Sequence, residues 1–334
     1  MSNGYFGAHR TKLSLDDLHA GLITANHILH HHSVFDAYSH ISVRNPDSTD
    51  TFFLADTTPP SVISSLSDII EFKFEDGSPL DTTLSLSGVS ERWIDSELYK
   101  RFPGVNCVAH SHCVDVLPFC TAKVPLKPVI PSAGFLGSEA PAWDIASAYS
   151  SGIFPGSGSS GEKHDRLVRS QNLGAAFAIK FSKTSTSTGF IYSKLSESVS
   201  SVTGGHKDKE EQADPDYAVI LMREHGFTVA ARGIEEAVYM AIYTAINARV
   251  QREALQMSES YFGGTIEGSI PEKGGSIKGG KTKVTEEVQT LNAKEARDAW
   301  ETGRENGWLD RGWLEWKRAV EKNPLYENQV QSDE

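Results

Sequence analysis

The chain has few cysteines, no long apolar run and a deficit of positive charge. Its 3 cysteines are Cys107, Cys113 and Cys120. An odd number of thiols crowded into one short segment does not build a disulfide framework, so we expect reduced cysteines in a cytoplasmic protein. The first residues lack an apolar core of signal-peptide length, and no segment approaches the roughly 18 apolar residues of a membrane span. These absences predict a soluble protein that does not bind membranes.

Charge and length exclude further classes. Lys and Arg number 32 against 44 Asp and Glu, which gives a formal net charge of −12. This acidic excess argues against binding to a phosphate backbone, so nucleic acid is not an expected partner. The 334 residues suit about two average domains, or one larger domain with extensions, and the apolar fraction of 39% is ordinary for a globular chain. A buried site can therefore be built.

The first third of the chain predicts a helix followed by an antiparallel sheet. Residues 14–32 begin with Ser14 and Asp17 in a capping-box-like arrangement and continue with apolar residues at helical spacing. The segments YSHISVR and DTFFLAD are typical of short strands, joined by the turn RNPDSTD. DIIEFKFEDGSPLD repeats this pattern around the turn Asp76-Gly77.

Two further pairs of helix and strand follow. Residues 91–102 predict a helix that leads into the strand VNCVAH, and PDYAVILM predicts a strand that precedes a long helix over residues 233–257. Residues 151–161 and 182–213 are rich in Ser and Gly or in Ser, Thr and Lys, so we expect loops or insertions there.

The C-terminal part differs in composition. Residues 261–283 are interpreted as a Gly- and Lys-rich linker, and residues 284–334 as a helical extension that carries four of the 6 tryptophans. Such an extension is expected to dock on its own domain or on a neighbouring subunit. The segment from Gly275 to Thr282 matches the phosphate-loop pattern, but no buried strand precedes it. We therefore interpret it as linker.

Two histidines one residue apart close the apolar run VNCVAHSHC. Residues i and i+2 of a strand point to one face, so His110 and His112 can converge on one metal ion. In a chain with 12 histidines this pair is weak evidence alone. His225 stands before Gly226 after an apolar strand, where a sharp turn can direct it into a cleft, although it could also be a hydrogen-bonded loop residue. Three imidazoles with an open position describe a catalytic metal site.

Two carboxylates precede the histidine pair. Glu91 lies 19 residues before His110, and Asp95 follows Glu91 by one helical turn, so both share a helix face. Glu91 can bind the metal, or act as acid or base once substrate displaces it, and Asp95 can tune it. The alternative is a solvated helix face. Cys113 would point to the opposite face of the strand from His110, so we interpret all three cysteines as buried structural thiols.

Together these residues resemble the class II aldolase/adducin head domain family. The resemblance runs from about Leu15 to Gln256 and is most specific in SERWIDSELYKRFPGVNCVAHSHC and VILMREHGFTVAARGIEEAVYMAIY. It implies an α/β fold of three α/β/α layers with a central, mainly antiparallel sheet, and a metal-binding domain over residues 1–260. It also implies a homotetramer with sites near subunit interfaces. The residues that it implies for the metal and for catalysis are His110, His112 and His225 as ligands and Glu91 as the catalytic carboxylate.

Departures from the sugar-phosphate aldolases indicate a branch of this family. Those aldolases carry a Gly-Asn pair that helps to hold the phosphate, where this chain has Ser39 and His40. The segments SHISVRNPDSTDTFFLAD, IIEFKFEDGSPLD and PLKPVIPSAGFLG are similar to the branch of hydroxypyridine-dicarboxylate and dihydroxyphthalate decarboxylases. In that branch a His is common where this chain has Asp95. Ser39, His40, His164 and Arg169 are candidates to contact the carboxylate or hydroxyl of the substrate.

The sequence thus predicts a divalent-metal-dependent C–C lyase. The leading hypothesis is decarboxylation of a hydroxy-substituted aromatic or related carboxylic acid, with Glu91 or Asp95 handling the proton. The alternatives are an aldolase or dehydratase acting on a small hydroxy-carbonyl compound, and a non-catalytic adducin-like binding module. Three imidazoles favour zinc as the cofactor, while manganese, iron and cobalt also suit an oxygen-rich substrate.

Overall fold

The computed structural model describes eight segments of the chain. They are residues 14–55, 58–84, 91–150, 163–183, 214–262, 265–271, 277–283 and 288–330. The insertion predicted at 151–161 and nearly all of that predicted at 182–213 lie outside these residues. Among the described helices, not one combines the length and the apolar composition that crossing a bilayer requires.

A seven-stranded sheet forms the centre of the chain. Its strands are β1 (His40–Arg44), β2 (Thr51–Ala55), β3 (Ile69–Lys73), β4 (Cys107–Ser111), β5 (Ala142–Trp143), β6 (Val219–Met222) and β7 (Gly226–Ala231). They lie in the order β3-β2-β1-β4-β7-β6-β5, and all neighbours are antiparallel except β5 with β6. The predicted hairpin of the first two strands and the mainly antiparallel sheet are confirmed.

Helices cover both faces of this sheet. They are α1 (Leu15–His31), α2 (Arg92–Arg101), α3 (Leu117–Thr121), α4 (Ala146–Ser150), α5 (Gln171–Ala178), α6 (Ile234–Phe262), α7 (Ala293–Glu305) and α8 (Trp308–Glu321). Cys107 and Ala109 of β4 point into one apolar core together with residues of α1, α6 and α8, whereas Val108 points into a second core with residues of α2 and α5. This alternation produces the predicted three α/β/α layers.

The first helix forms for the reasons that its sequence gives. The Ser14 side chain accepts a hydrogen bond from the Asp17 backbone N–H at 3.1 Å, which caps the helix start. Leu18, Leu22 and Leu29 are buried in the core with α6. The predicted helix over residues 14–32 is therefore confirmed.

The prediction of a linker at 261–283 was wrong in its secondary structure. Helix α6 continues to Phe262, and two strands, β8 (Thr265–Pro271) and β9 (Ile277–Lys283), pair as an antiparallel hairpin. Glycine is a poor strand former, but the register places Gly268 opposite Gly280, so the backbone ladder is kept. The second half of the phosphate-loop pattern is thus extended backbone and not the start of a helix.

The Trp-rich extension packs on its own domain. Trp316 and Val320 of α8 are buried in the core that contains α1 and α6. Helix α7 lies against residues 131–136, where a Cβ added to Gly134 would stand 2.2 Å from the Ala296 carbonyl oxygen. The extension was expected to dock on its own domain or on a neighbouring subunit, and it docks on its own domain.

Candidate metal centre

Alternation along β1 and β4 directs the candidate residues to the face of the sheet that α2 covers. Val108 of β4 packs in the core with α2, so His110, two residues further on, faces the same side. His40 of β1 lies opposite His110 in the antiparallel ladder and shares that face. Glu91 immediately precedes α2 as its N-cap residue. The sheet register therefore brings the predicted histidine and glutamate together.

Three imidazoles and one carboxylate converge at this place. The Nε2 atom of His112 lies 3.1 Å from Nε2 of His110 and 3.1 Å from Nε2 of His225. Oε2 of Glu91 lies 3.2 Å from Nε2 of His225 and 3.6 Å from Nε2 of His110. One ligand atom from each of these four residues falls within 4.8 Å of the others. The structure thus brings together all four residues that the sequence predicted for a metal site.

The donor set fits a divalent cation. Burial, reinforced by the neighbouring histidines, holds the pKa of His110 well below its ordinary value, and burial together with His225 lowers the pKa of His112. Both rings are therefore neutral near pH 7. Their Nδ1 atoms lie beside other partners, at 3.0 Å from Thr228 Oγ1 and 3.2 Å from Asp36 Oδ1. The Nε2 lone pairs then face one another, an arrangement that is repulsive unless a cation lies between them.

Glu91 is held by main chain from a remote segment. Its Oε1 accepts the backbone N–H of Val168 at 3.0 Å, which leaves Oε2 to face the histidines. Burial opposes ionisation, but the hydrogen bond and charge of His225 and the N–H of Val168 outweigh it, so the pKa of Glu91 is lowered. The side chain is a buried carboxylate directed at the centre.

Asp95 does not occupy the position that we expected. It is fully buried behind His40, with Oδ2 at 3.0 Å from His40 Nε2 and Oδ1 accepting the Ser42 hydroxyl at 2.7 Å. Both carboxylate oxygens are thereby engaged, and the His40 ring lies next to His110 with 5.3 Å between ring centroids. The imidazole of His40, rather than the carboxylate of Asp95, is the group nearer to the centre.

Asp36 links Ser39 to His112, and it was not predicted from the sequence. The Ser39 hydroxyl donates to Asp36 Oδ1 at 2.7 Å and accepts the His112 backbone N–H at 3.3 Å. Asp36 also accepts the backbone N–H of Ser39 at 2.8 Å. The same carboxylate therefore stabilises this turn and orients the imidazole of His112. The segment DAYS is typical of an Asx turn, but its contact with a histidine 76 residues away is not visible in the sequence.

The structure does not bring His164 and Arg169 into contact with the four converging residues. His164 is exposed and stacks on Tyr149 at 4.2 Å between ring centroids, and the exposed Arg169 donates to Asp165 at 2.6 Å. Their predicted contact with substrate stays a prediction. Between them the chain turns at Arg166, whose φ is 69°. Arg166 contacts Glu224, the residue before His225, at 2.8 Å. This ion pair connects Arg166 to the turn that precedes His225.

The three cysteines are free and buried, as predicted. Burial raises the pKa of all three thiols, to about 12 for Cys120. The Cys113 thiol donates to the Ser33 carbonyl oxygen at 3.6 Å and is not one of the four converging residues. None of these thiols is suited to ligate a metal or attack a substrate.

We expect the Asp36→Asn substitution to weaken metal binding by about tenfold, because the residue that orients a ligating imidazole sets its basicity and position. Affinity is measured by competition with a chromogenic zinc chelator. Asp81→Asn is the matched control, since Asp81 accepts the Thr83 backbone N–H and hydroxyl in an exposed turn without a histidine. Equal affinities of the two variants would contradict the role of Asp36.

Fold and site together define a metal-dependent lyase of the class II aldolase type. The family model for the class II aldolase and adducin N-terminal domain matches residues 20–152. The chain is 35% identical over 306 residues to "Decarboxylase tropJ" of Talaromyces stipitatus, and the match covers 92% of this chain and 95% of that protein. The chain therefore belongs to the class II aldolase and adducin family.

Solved structures show the same fold. An aldolase II superfamily protein from Pseudomonas syringae gives a TM-score of 0.58 at 14% identity, over 95% of this chain and 97% of that one. L-fuculose 1-phosphate aldolase from Glaciozyma antarctica gives 0.56 at 13% identity, over 96% and 97%. With the family match and the decarboxylase relative, these results confirm the predicted fold and the prediction of a metal-dependent lyase.

Proposed function

We propose that this chain decarboxylates a hydroxy-substituted aromatic or related carboxylic acid with the help of one divalent metal ion. The observation that carries the proposal is the convergence of three imidazole nitrogens and the Glu91 carboxylate within 4.8 Å. The similarity to a decarboxylase along almost the whole of both chains supports C–C cleavage with release of CO₂. Similarity in fold to aldolases does not by itself identify the substrate.

In this proposal His110, His112 and His225 hold the ion. When bound, the ion supplies electrostatic stabilisation to negative charge on the hydroxyl and carboxylate oxygens of the substrate. Glu91 Oε2 takes the proton of the substrate hydroxyl; the lowered pKa of this side chain keeps it ionised and therefore able to accept one. The C–C bond to the carboxylate then breaks, CO₂ leaves, and the electron pair remains on the ring. Glu91 returns the proton to the ring carbon.

His40 and Ser39 are proposed to contact the substrate, and Asp95 to position His40. The Asp95 carboxylate, through its charge and its hydrogen bond, outweighs the effect of burial and raises the pKa of His40. His40 can therefore present an N–H to a substrate oxygen. Ser39 and His40 stand where the sugar-phosphate aldolases have a Gly-Asn pair that helps to hold the phosphate. This difference supports a substrate that is not a sugar phosphate.

Finer properties follow from the donor set and the family. We propose zinc as the ion, because three imidazole ligands suit it, with manganese, iron and cobalt as alternatives. We also propose a cytoplasmic homotetramer, as the family resemblance implies. Tyr38 and Val114 are large apolar side chains next to Ser39 and Cys113, with 82% and 76% of their surface exposed, which is consistent with a covering subunit.

Removal of the metal should abolish CO₂ release, and zinc should restore it. The purified protein is treated with a chelator, dialysed, analysed for metal and assayed on a panel of hydroxyaromatic acids, beside aldehyde release from hydroxy-carbonyl compounds. We expect a stoichiometric ion in the untreated protein and its loss in the His110→Ala variant, because one of three imidazole ligands is deleted.

Three results would contradict this proposal. Full CO₂ release from metal-free protein would exclude a role for the ion. Aldehyde release without CO₂ release would favour the aldolase alternative, and a protein without a stoichiometric ion would favour a binding module.

A further inference from the structure

The segment at residues 163–170 contacts both Glu91 and the turn that precedes His225. Within it, the Val168 backbone N–H donates to Glu91 Oε1 at 3.0 Å, and Arg166 lies two residues earlier. The guanidinium of Arg166 contacts Asp144 at 2.9 Å and Glu224 at 2.8 Å, and Glu224 immediately precedes His225. Arg166 therefore stands between the chain that orients Glu91 and the turn that carries His225.

We propose that Arg166 binds a second carboxylate group of the substrate, one that is not lost in the reaction. The proposal rests on the proposed function, because it assumes that an acid binds at this centre. A guanidinium presents paired N–H donors that match the two oxygens of a carboxylate. The departing carboxylate is a poor partner for it, since that group loses its charge as CO₂ forms, and a cation on it would stabilise the ground state more than the transition state.

The present partners of Arg166 can be exchanged for a ligand. The side chains of Asp144 and Glu224 are 53% and 58% exposed, and that of Arg166 is 34% exposed. Ion pairs in such solvent-accessible positions contribute little to stability. A ligand carboxylate anchored by the rest of the site can therefore displace one of them without leaving a buried charge unpaired.

The backbone at this point is constrained in a manner typical of functional turns. Arg166 and Glu224 are non-glycine residues with φ of 69° and 58°. Such conformations are uncommon for residues with a side chain and concentrate at binding sites. The Arg166 backbone N–H donates to the Tyr149 hydroxyl at 3.2 Å, which fixes this turn against a largely buried ring.

The other two arginines close to the segment have different partners. Arg169 is paired with Asp165, and Arg223 donates to the carbonyl oxygens of Phe119 and Cys120 at 3.1 and 3.4 Å. These carbonyls hold Arg223 on the sheet and α3. Arg166 is thus the arginine best placed to recognise an anionic substituent.

The experiment measures the affinity of the metal-loaded protein by calorimetry for salicylate and for its carboxylated forms 3-hydroxyphthalate, 4-hydroxyisophthalate and 2-hydroxyterephthalate. All four present the same hydroxyl and carboxylate pair, and three add one carboxylate. We expect the wild-type chain to bind at least one of the three on the order of tenfold more tightly than salicylate. Arg166→Gln should reduce that ratio to about one and leave salicylate binding unchanged, while Arg166→Lys should retain part of it.

Arg232→Gln is the matched control, because Arg232 is also half-exposed and paired with an aspartate, Asp214, at 2.7 Å. It should keep the wild-type ratio. The proposal is overturned if the wild-type ratio is one, if Arg166→Gln keeps the wild-type ratio, or if it weakens all four acids equally, as a purely structural role would. Because the readout is binding, an Arg166-dependent ratio without CO₂ release from any acid would sink the proposed function and leave this inference standing.

Discussion

The Glu91→Gln variant should lose turnover by about 10³-fold and keep its metal. A glutamine has the size of a glutamate and can still accept the Val168 N–H through its amide oxygen, but it cannot take up and return a proton. The three imidazoles are unchanged, so the metal should remain bound. Steady-state CO₂ release and metal content, measured on the same preparation, check both halves of this expectation.

Glu236→Gln is the control for this variant. Glu236 is likewise buried, and it accepts the backbone N–H of Arg232 at 2.8 Å, as Glu91 accepts that of Val168 at 3.0 Å. It lies in the first turn of α6, outside the four converging residues. Undiminished turnover in Glu91→Gln would mean that another group handles the proton, and His40 would then be the next residue to substitute.

Gly226→Ala should lower the free energy of unfolding by about 2–3 kcal/mol and weaken metal binding. An added Cβ would stand 2.1 Å from the Ser111 carbonyl oxygen and 3.3 Å from the His112 Cα. Both neighbours are backbone and cannot rotate away, so β4 and β7 have to separate at the point where they carry His112 and His225. Urea unfolding and zinc competition measure the two effects.

Gly21→Ala tests whether any glycine would give this result. The nearest atom to a Cβ at Gly21 is Ile234 Cδ1 at 3.5 Å, an ordinary contact, and the residue lies inside α1. Alanine there should leave stability unchanged or raise it by about 0.5–1 kcal/mol. If both variants unfold at the same urea concentration, the close approach of the strands at Gly226 does not limit stability.

Much of the fold was predictable because it follows from local periodicity. The cap at Ser14, the stripe of leucines in α1 and the alternation in β4 each depend on residues only a few positions apart. Three of the four candidate metal-site residues were predictable for a similar reason, since His110 and His112 flank one residue and Glu91 begins the helix before them. What the structure adds is the sheet register that joins these local units.

The parts that escaped prediction depend on contacts between remote segments or on turns. Asp95 was expected beside Glu91, its neighbour on the helix, but pairs with His40 from a strand 55 residues away. The contact of Arg166 with Glu224 also escaped prediction, because it joins remote segments at a left-handed turn. Gly226 was expected to permit a sharp turn. Its role is to permit close approach, and Glu224 has the positive φ instead.

The hydrogen bond from Val168 to Glu91 has a consequence for mutational tolerance. The donor is a main-chain amide, so the orientation of the carboxylate does not depend on which side chain stands at position 168. Any apolar residue that fits the buried space can fulfil this role, and proline, which has no N–H, cannot. Saturation mutagenesis at this position would therefore reveal a residue whose importance lies in the path of the backbone and not in its chemical identity.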